Sequence, residues 1–331
     1  MSSNTENKSP NIHLPYLDGW RGIAIICVLL GHFSSFHQMG GIGVSIFFVL
    51  SGLLMSRILF VEKMPLRKFY QRRFARIIPV FWLYITVAFL GVYIFTGKFD
   101  LLEFLSTAIF MRTYVPVTDI FKSSAPIANI WSLNVEEHSY MFLSLLALFS
   151  KRFDDRFTRV ILVFSSVGCI LVFVLYKYYP PATQSMFTLR TEVAAFPLVL
   201  SSAIFLWMVK RSFSVPSLIP ICSFLGAFGI AIFSTSVFLS FVGISTLLAV
   251  SINTLKWAPL WFIKLLENPV LRWFGVCSYS IYLWQQIFYF FLPDFTMVFA
   301  YKAIALTMAL IVSSISYYYF ESPIRKWLAG K

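Results

Sequence analysis

The sequence predicts an all-α fold, a polytopic membrane bundle of about ten transmembrane helices plus one short re-entrant or interfacial helix. Three observations carry this expectation. Of the 331 residues, 59% are hydrophobic and only 12% are charged, and a mean hydropathy of +0.78 lies far above that of a soluble domain with a polar surface. Apolar stretches close to the ~20 residues needed to span a bilayer recur along the chain. The basic residues fall in short connections between those stretches, where positive charge sets topology. That placement also speaks against nucleic acid as the partner of a chain with net charge +13. Cys27, Cys169, Cys222 and Cys277 lie inside apolar runs without metal-type spacing, so neither disulfides nor a metal site are expected.

Residues 1–15 form a polar tail, and the first span is placed at 20–37. It contains Arg21 and His32 and lacks a small-residue cleavage site, so it is expected to be a retained span and not a signal peptide. Arg21 and His32 are 11 residues apart. That is about 1100° of helix, so the two share a face to within roughly 20° and stand about 16 Å apart along the axis. Asp18, at i−3, can pair with Arg21. An imidazole within a span is a functional candidate, because it is costly in lipid and suited to proton transfer near neutral pH.

The second span, 42–61, carries Ser45, Gly52 and Ser56, small residues that let helices approach closely. The 57–76 connection sets seven basic residues against the single acid Glu62, which assigns it to the cytoplasm. Arg73 and Arg76 are i,i+3 neighbours just before Pro79, which is expected in the first turn of the third span, 77–96. Such a cluster serves topology and anionic lipids, or it holds a phosphate-bearing cytosolic ligand in guanidinium forks. The segment 101–114, "LLEFLSTAIFMRTY", is short and carries Glu103 and Arg112. Counting it as a span would put "KRFDDRFTR" on the outer side, so it is expected to be the re-entrant or interfacial helix there.

The fourth span, 129–149, opens with "NIWSLNVEEHSYMF". Asn134 and Glu137 have capping-box spacing, which assigns Glu137 to the helix start. Glu136 points elsewhere, with Ser132 and Tyr140 four residues to either side, a polar stripe entering the bundle. Spans five to eight are placed at 160–178, 188–209, 214–234 and 236–254, the ninth at 273–292 and the tenth at 298–320. In the ninth, Ser278, Tyr282 and Gln285 share one face and Tyr279, Tyr282 and Gln286 another, so this helix is expected to line a cavity or to hydrogen-bond a neighbouring helix. Both termini then lie inside, with twenty-one basic residues on the inner side and six outside. No internal repeat is evident, and no loop has room for a second globular domain.

Six segments, "YLDGWRGIAIICVLLGH", "FFVLSGLLMSR", "RRFARIIP", "WSLNVEEHSY", "SYSIYLW" and "YFESPIRK", occur in the order seen in acyltransferase family 3, and the resemblance runs from about residue 14 to 327. The family consists of integral-membrane O-acyltransferases found chiefly in bacteria. The resemblance implies a membrane acyltransferase domain over 16–327, a cytoplasmic tail at 328–331 and a place in the bacterial inner membrane. It implies transfer of an acyl group, most often acetyl from acetyl-CoA as co-substrate, to a hydroxyl of a surface polysaccharide, O-antigen or lipid-linked glycan, with no bound cofactor. The family's critical first-span arginine and histidine fall on Arg21 and His32, its later arginines on Arg57, Arg73 and Arg76, and its acid on Glu136. Gln285 departs from the histidine common after "YLW", which puts a proton relay there in question, and "EEHSY" replaces the common "EEQFY". Some members carry an extra periplasmic hydrolase-like domain. This chain ends at 331, so acceptor selection is expected to come from the membrane domain or a partner.

These readings combine in one expected mechanism. Cytoplasmic arginines hold the phosphates of acyl-CoA while the pantetheine arm enters beside the first span. His32 meets the thioester and, from the outer side, the acceptor hydroxyl, as general base or as a transient acyl carrier. Glu136 is expected to orient His32 or stabilise its charged form, and Asp18, Tyr140, Tyr282 and Gln285 are assigned to the acceptor or oxyanion side. The rival is a transporter or flippase for a glycan or anionic small molecule, and a third reading is a non-catalytic sensor. The missing repeat and the basic residues gathered beside one deep histidine speak against them.

Overall fold

The computed structural model describes residues 14–116, 118–150, 155–180, 184–209, 211, 214–291 and 299–328. Most of both expected tails, and the basic residues Lys8, Lys151, Arg152, Lys210 and Lys331, lie outside the described residues. The described residues are helical, with no strand among them. Seven helices are long and apolar enough to cross a membrane: α1 (Pro15–Phe33), α2 (Gln38–Val61), α3 (Leu66–Thr96), α6 (Arg156–Tyr178), α7 (Thr191–Met208), α9 (Val237–Trp257) and α12 (Ala300–Leu328). Three further helices, α5 (Trp131–Ser150), α8 (Ile219–Phe233) and α11 (Pro269–Phe290), fall on the other expected segments and do not reach that length and apolarity. Polar stripes lower the hydropathy of α5 and α11, and α8 has 15 residues. Two short helices, α4 (Leu101–Ala108) and α10 (Leu260–Leu266), complete the chain.

Local chemistry sets the ends of these helices. Pro15 opens α1 at a position where its missing N–H costs nothing. Gly97, at φ +68°, closes α3. α3 begins at Leu66, eleven residues before the expected span, because arginine and lysine are good helix formers and nothing breaks the helix at the basic cluster. Pro79 therefore sits in the helix interior, not in the first turn. The Asp100 side chain caps α4 by accepting from the Glu103 backbone N–H at 2.9 Å. An eight-residue helix is about 12 Å long and cannot cross a ~30 Å hydrocarbon core. The charges that argued against a span here neutralise each other: Arg112, fully buried, donates to Glu103 at 2.5 and 2.9 Å.

α1 is the central helix, packed between α2 and α11. Without water between helices in lipid, association relies on close packing, and small residues allow it. A Cβ on Gly19 or Gly22 would lie 1.7 or 2.0 Å from the carbonyl oxygens of Leu266 and Leu271, and one on Gly275 would lie 1.7 Å from that of Asp18. α1 and α11 run parallel, since Asp18 lies beside Gly275 at one end and His32 beside Gln285 and Tyr289 at the other. The packing role expected of Gly52 is real, as a Cβ there would come within 2.1 Å of the Leu198 carbonyl on α7. Large apolar side chains such as Phe95, Phe164, Leu171 and Phe233 face outward, as a multi-pass membrane protein requires.

Candidate active site

The polar stripes meet inside the bundle. A cavity of about 70 Å³ is lined by Arg21 of α1, Ser51 of α2, Arg73 and Arg76 of α3, Ser132, Glu136 and Tyr140 of α5, and Ser278, Tyr279 and Tyr282 of α11. The i,i+4 spacing of Ser132, Glu136 and Tyr140 puts all three on its wall. A hydrogen-bonded chain crosses it. The Arg73 guanidinium lies 4.3 Å from the Tyr140 ring centroid, the Tyr140 hydroxyl donates to Ser51 Oγ at 3.1 Å, and the Ser51 hydroxyl donates to Glu136 Oε1 at 2.8 Å. The guanidiniums of Arg21, Arg73 and Arg76 can fork onto an anion at this end, with the carboxylates of Asp18, Glu136, Glu137 and Glu321 close by. Among the described residues, the one ion pair at this cavity is Arg21 to Asp18, at 3.3 Å.

His32 lies above this cavity on the same face of α1 as Arg21. Its Nδ1 is 2.8 Å from Gln285 Oε1, and its ring stacks on Tyr289 with centroids 4.5 Å apart. The Gln285 amide nitrogen donates to the Tyr282 carbonyl at 3.3 Å, which turns Oε1 toward the imidazole. Nδ1 must then carry the proton, and Nε2 keeps its lone pair. Gln285 can therefore do what the common histidine at this position would do: hold one tautomer. Tyr282 links the two parts, since its ring lines the cavity and its carbonyl orients Gln285.

Several expected roles do not fit these positions. Glu136 does not orient His32: its hydrogen-bond partner is Ser51, and Gln285 holds the imidazole. Asp18, assigned to the acceptor or oxyanion side, lies with Arg21 at the opposite end of α1 from His32. Arg57 leaves the arginine cluster. Residues 57–61 form a π-helical turn, whose i→i+5 geometry brings Arg57 Nε to 3.0 Å from Glu62 Oε1. Arg57 lines a separate cleft with Tyr16, Asn253 and Lys256. Tyr140 and Tyr282 already donate their hydroxyl protons, to Ser51 and to the Asn129 carbonyl (2.8 Å), so neither stands ready as an oxyanion donor. Asn134 and Glu137 form no capping box, because α5 begins at Trp131 and both sit inside it.

Ser51 and Tyr289 were not singled out in the sequence. Ser51 is an isolated hydroxyl in an apolar run, and Tyr289 reads as an interfacial aromatic. A further polar cluster stands apart from the cavity: His138 Nδ1 lies 2.8 Å from Thr191 Oγ1, and the Tyr114 hydroxyl donates to Glu192 at 2.5 Å. Burial and that carboxylate push the Tyr114 hydroxyl up to about 12.

Comparison with known proteins gives this geometry a context. The model of an acyltransferase domain family matches residues 14–319. The peptidoglycan O-acetyltransferase OatA of Listeria monocytogenes is 27% identical over 353 residues, covering 95% of this chain and 56% of the relative. The O-acetyltransferase OatA of Staphylococcus aureus is also 27% identical, over 95% of this chain and 57% of the relative. The chain thus spans about half the length of the curated relatives it matches. No solved structure matches it significantly.

Proposed function

The chain belongs to this acyltransferase domain family, and on that premise we propose that it is an inner-membrane O-acyltransferase moving an acetyl group from cytoplasmic acetyl-CoA to a glycan hydroxyl on the outer side. The names of the relatives favour a peptidoglycan acceptor over O-antigen. One observation carries the mechanism: arginines from α1 and the N-terminal half of α3 share a narrow cavity with an acid from α5, and His32 stands further along the same face of α1. At about 70 Å³ the cavity has room for the thin pantetheine arm on its way to His32 and excludes a nucleotide. The phosphates then stay at the cytoplasmic mouth, where Arg21, Arg73 and Arg76 are the available forks.

In the reaction, the acceptor oxygen attacks the thioester carbonyl carbon as its proton passes to His32 Nε2. A tetrahedral oxyanion forms beside the charged imidazole, which stabilises it electrostatically. The C–S bond then breaks, and the CoA thiolate leaves and takes a proton. Gln285 acts by position, keeping Nε2 unprotonated before the attack and accepting from Nδ1–H once the ring is charged.

The parallel run of α1 and α11 supports the topology. It requires an odd number of crossings between them, and α2, α3 and α5 to α9 supply seven when α4 does not cross. Ten spans put both termini on one side, which the basic connection between α2 and α3 assigns to the cytoplasm. The test is purified full chain in nanodiscs with acetyl-CoA and soluble peptidoglycan fragments. Release of CoA with acetyl esters on the glycan supports the proposal. Intact acetyl-CoA would overturn it and favour a transporter.

A further inference from the structure

A second, larger cleft opens toward the outer side between the outer ends of α2, α7, α8 and α9, with a volume of about 600 Å³. It shares Val44 and Phe48 with the arginine-lined cavity, so the side chains of one turn of α2 border both spaces. Phe48 meets Trp131 edge-on, with centroids 6.0 Å apart and planes at 85°. Trp131 lines the outer cleft, and the next residue, Ser132, lines the inner cavity. The Phe48–Trp131 pair is thus a partition between the two.

We propose that this outer cleft is the binding site for the acceptor, a neutral hydroxyl-rich saccharide, and that its reactive hydroxyl passes the Phe48–Trp131 partition to meet the acyl group. The inference rests on the acyl-transfer reading above. The lining chemistry selects the ligand class. Hydroxyl and amide side chains, among them Gln38, Ser45, Thr188 and Ser240, alternate with the aromatic faces of Trp131 and Phe241, and no charged side chain lines the cleft among the described residues. Hydroxyls and amides pair with sugar hydroxyls in either direction, and aromatic faces take the apolar C–H face of a pyranose ring. A phosphate or carboxylate ligand would find no cation here, and a lipid tail would leave the hydroxyls without partners. The volume falls within the ~300–1,000 Å³ common for small-ligand sites.

Gly41 supplies the test, because it lines the cleft and a Cβ there meets nothing within 4 Å. Gly41→Trp therefore fills the cleft without a backbone clash, and Gly41→Ala leaves it open. The probe is a diazirine-bearing N-acetylhexosamine disaccharide, photolysed with the full chain in nanodiscs and mapped by mass spectrometry. Label within 38–48, 188–197 and 231–245 or at Trp131 is expected, suppressed at least tenfold by unlabelled disaccharide and by Gly41→Trp but not by Gly41→Ala. Label elsewhere, label indifferent to Gly41→Trp, or no competed label would overturn the proposal. So would preferential labelling of the cleft by a diazirine phospholipid, which would make it a lipid site. Acetyl-CoA turnover is measured separately on the same preparation. Competed label without turnover would sink the acyl-transfer reading and leave a saccharide site, whereas turnover with label elsewhere would sink the cleft alone.

Discussion

Gln285→Leu removes one acceptor and little else. The side chain is fully buried, and its Oε1 lies 2.8 Å from His32 Nδ1. Leucine has a similar volume and leaves the Nδ1–H without a partner, and an unpaired buried donor costs about 1–3 kcal/mol. The ring escapes that cost by moving its proton to Nε2 or by turning, and either change withdraws the lone pair from the acceptor hydroxyl. Converted to rate, the expected loss is roughly 5- to 150-fold in kcat. The KM for acetyl-CoA should hold, because the arginines lie at the other end of the site. Gln285→His should keep most activity, since a neutral imidazole can accept from Nδ1–H. The assay is CoA release coupled to a thiol reagent, at saturating acceptor. Wild-type kcat in Gln285→Leu, or a loss carried wholly by the acetyl-CoA KM, would refute the positioning of His32 by Gln285.

Other consequences follow from the same geometry. Arg73→Ala and Arg76→Ala should each weaken acetyl-CoA binding about tenfold or more, the worth of a charge-assisted hydrogen bond, with lysine restoring only part. Arg57→Ala, Arg67→Ala and Lys68→Ala should leave it within about twofold on the same scale, and equal effects at all five positions in a calorimetric titration would mean that the cluster acts through topology or lipid. Activity should fall on acidification as His32 protonates and loses its lone pair, because the neutral imidazole is the competent form; a pH–kcat profile flat through the imidazole range would remove it as the base. Gly275→Ala should lower the Tm and the folded yield, because its Cβ meets a backbone oxygen that cannot step aside, whereas Gly168→Ala, with nothing within 4 Å, should change neither.

The sequence made the site's ingredients visible because lipid penalises them. Arg21, His32 and Glu136 stand out in apolar helices, and the stripes Ser132–Glu136–Tyr140 and Ser278–Tyr282–Gln285 follow from helical period alone. Which stripe faces which is an interhelical fact, so Glu136 was expected at His32 and is found at Ser51. Arg57 was lost for a different reason: residues five apart do not share a face at 3.6 per turn, and only the π-helical turn pairs it with Glu62. The early start of α3 escaped notice because apolarity marks where a membrane begins, not where a helix does. Glu103 and Arg112 argued correctly against a span through their cost in lipid, although not through the buried pair they form.

The central claim is that donor and acceptor meet from opposite faces of the membrane. Sealed proteoliposomes with a single orientation of the chain, fixed by labelling a cysteine introduced at position 64 or 120, test it directly. Acetyl-CoA is supplied only on the side of the α2–α3 connection and an N-acetylhexosamine oligosaccharide only on the other. Acetyl esters on the oligosaccharide, free CoA retained on the donor side, and loss of both in His32→Ala are expected. Transfer only when both substrates share a side, or none with either arrangement, would contradict it.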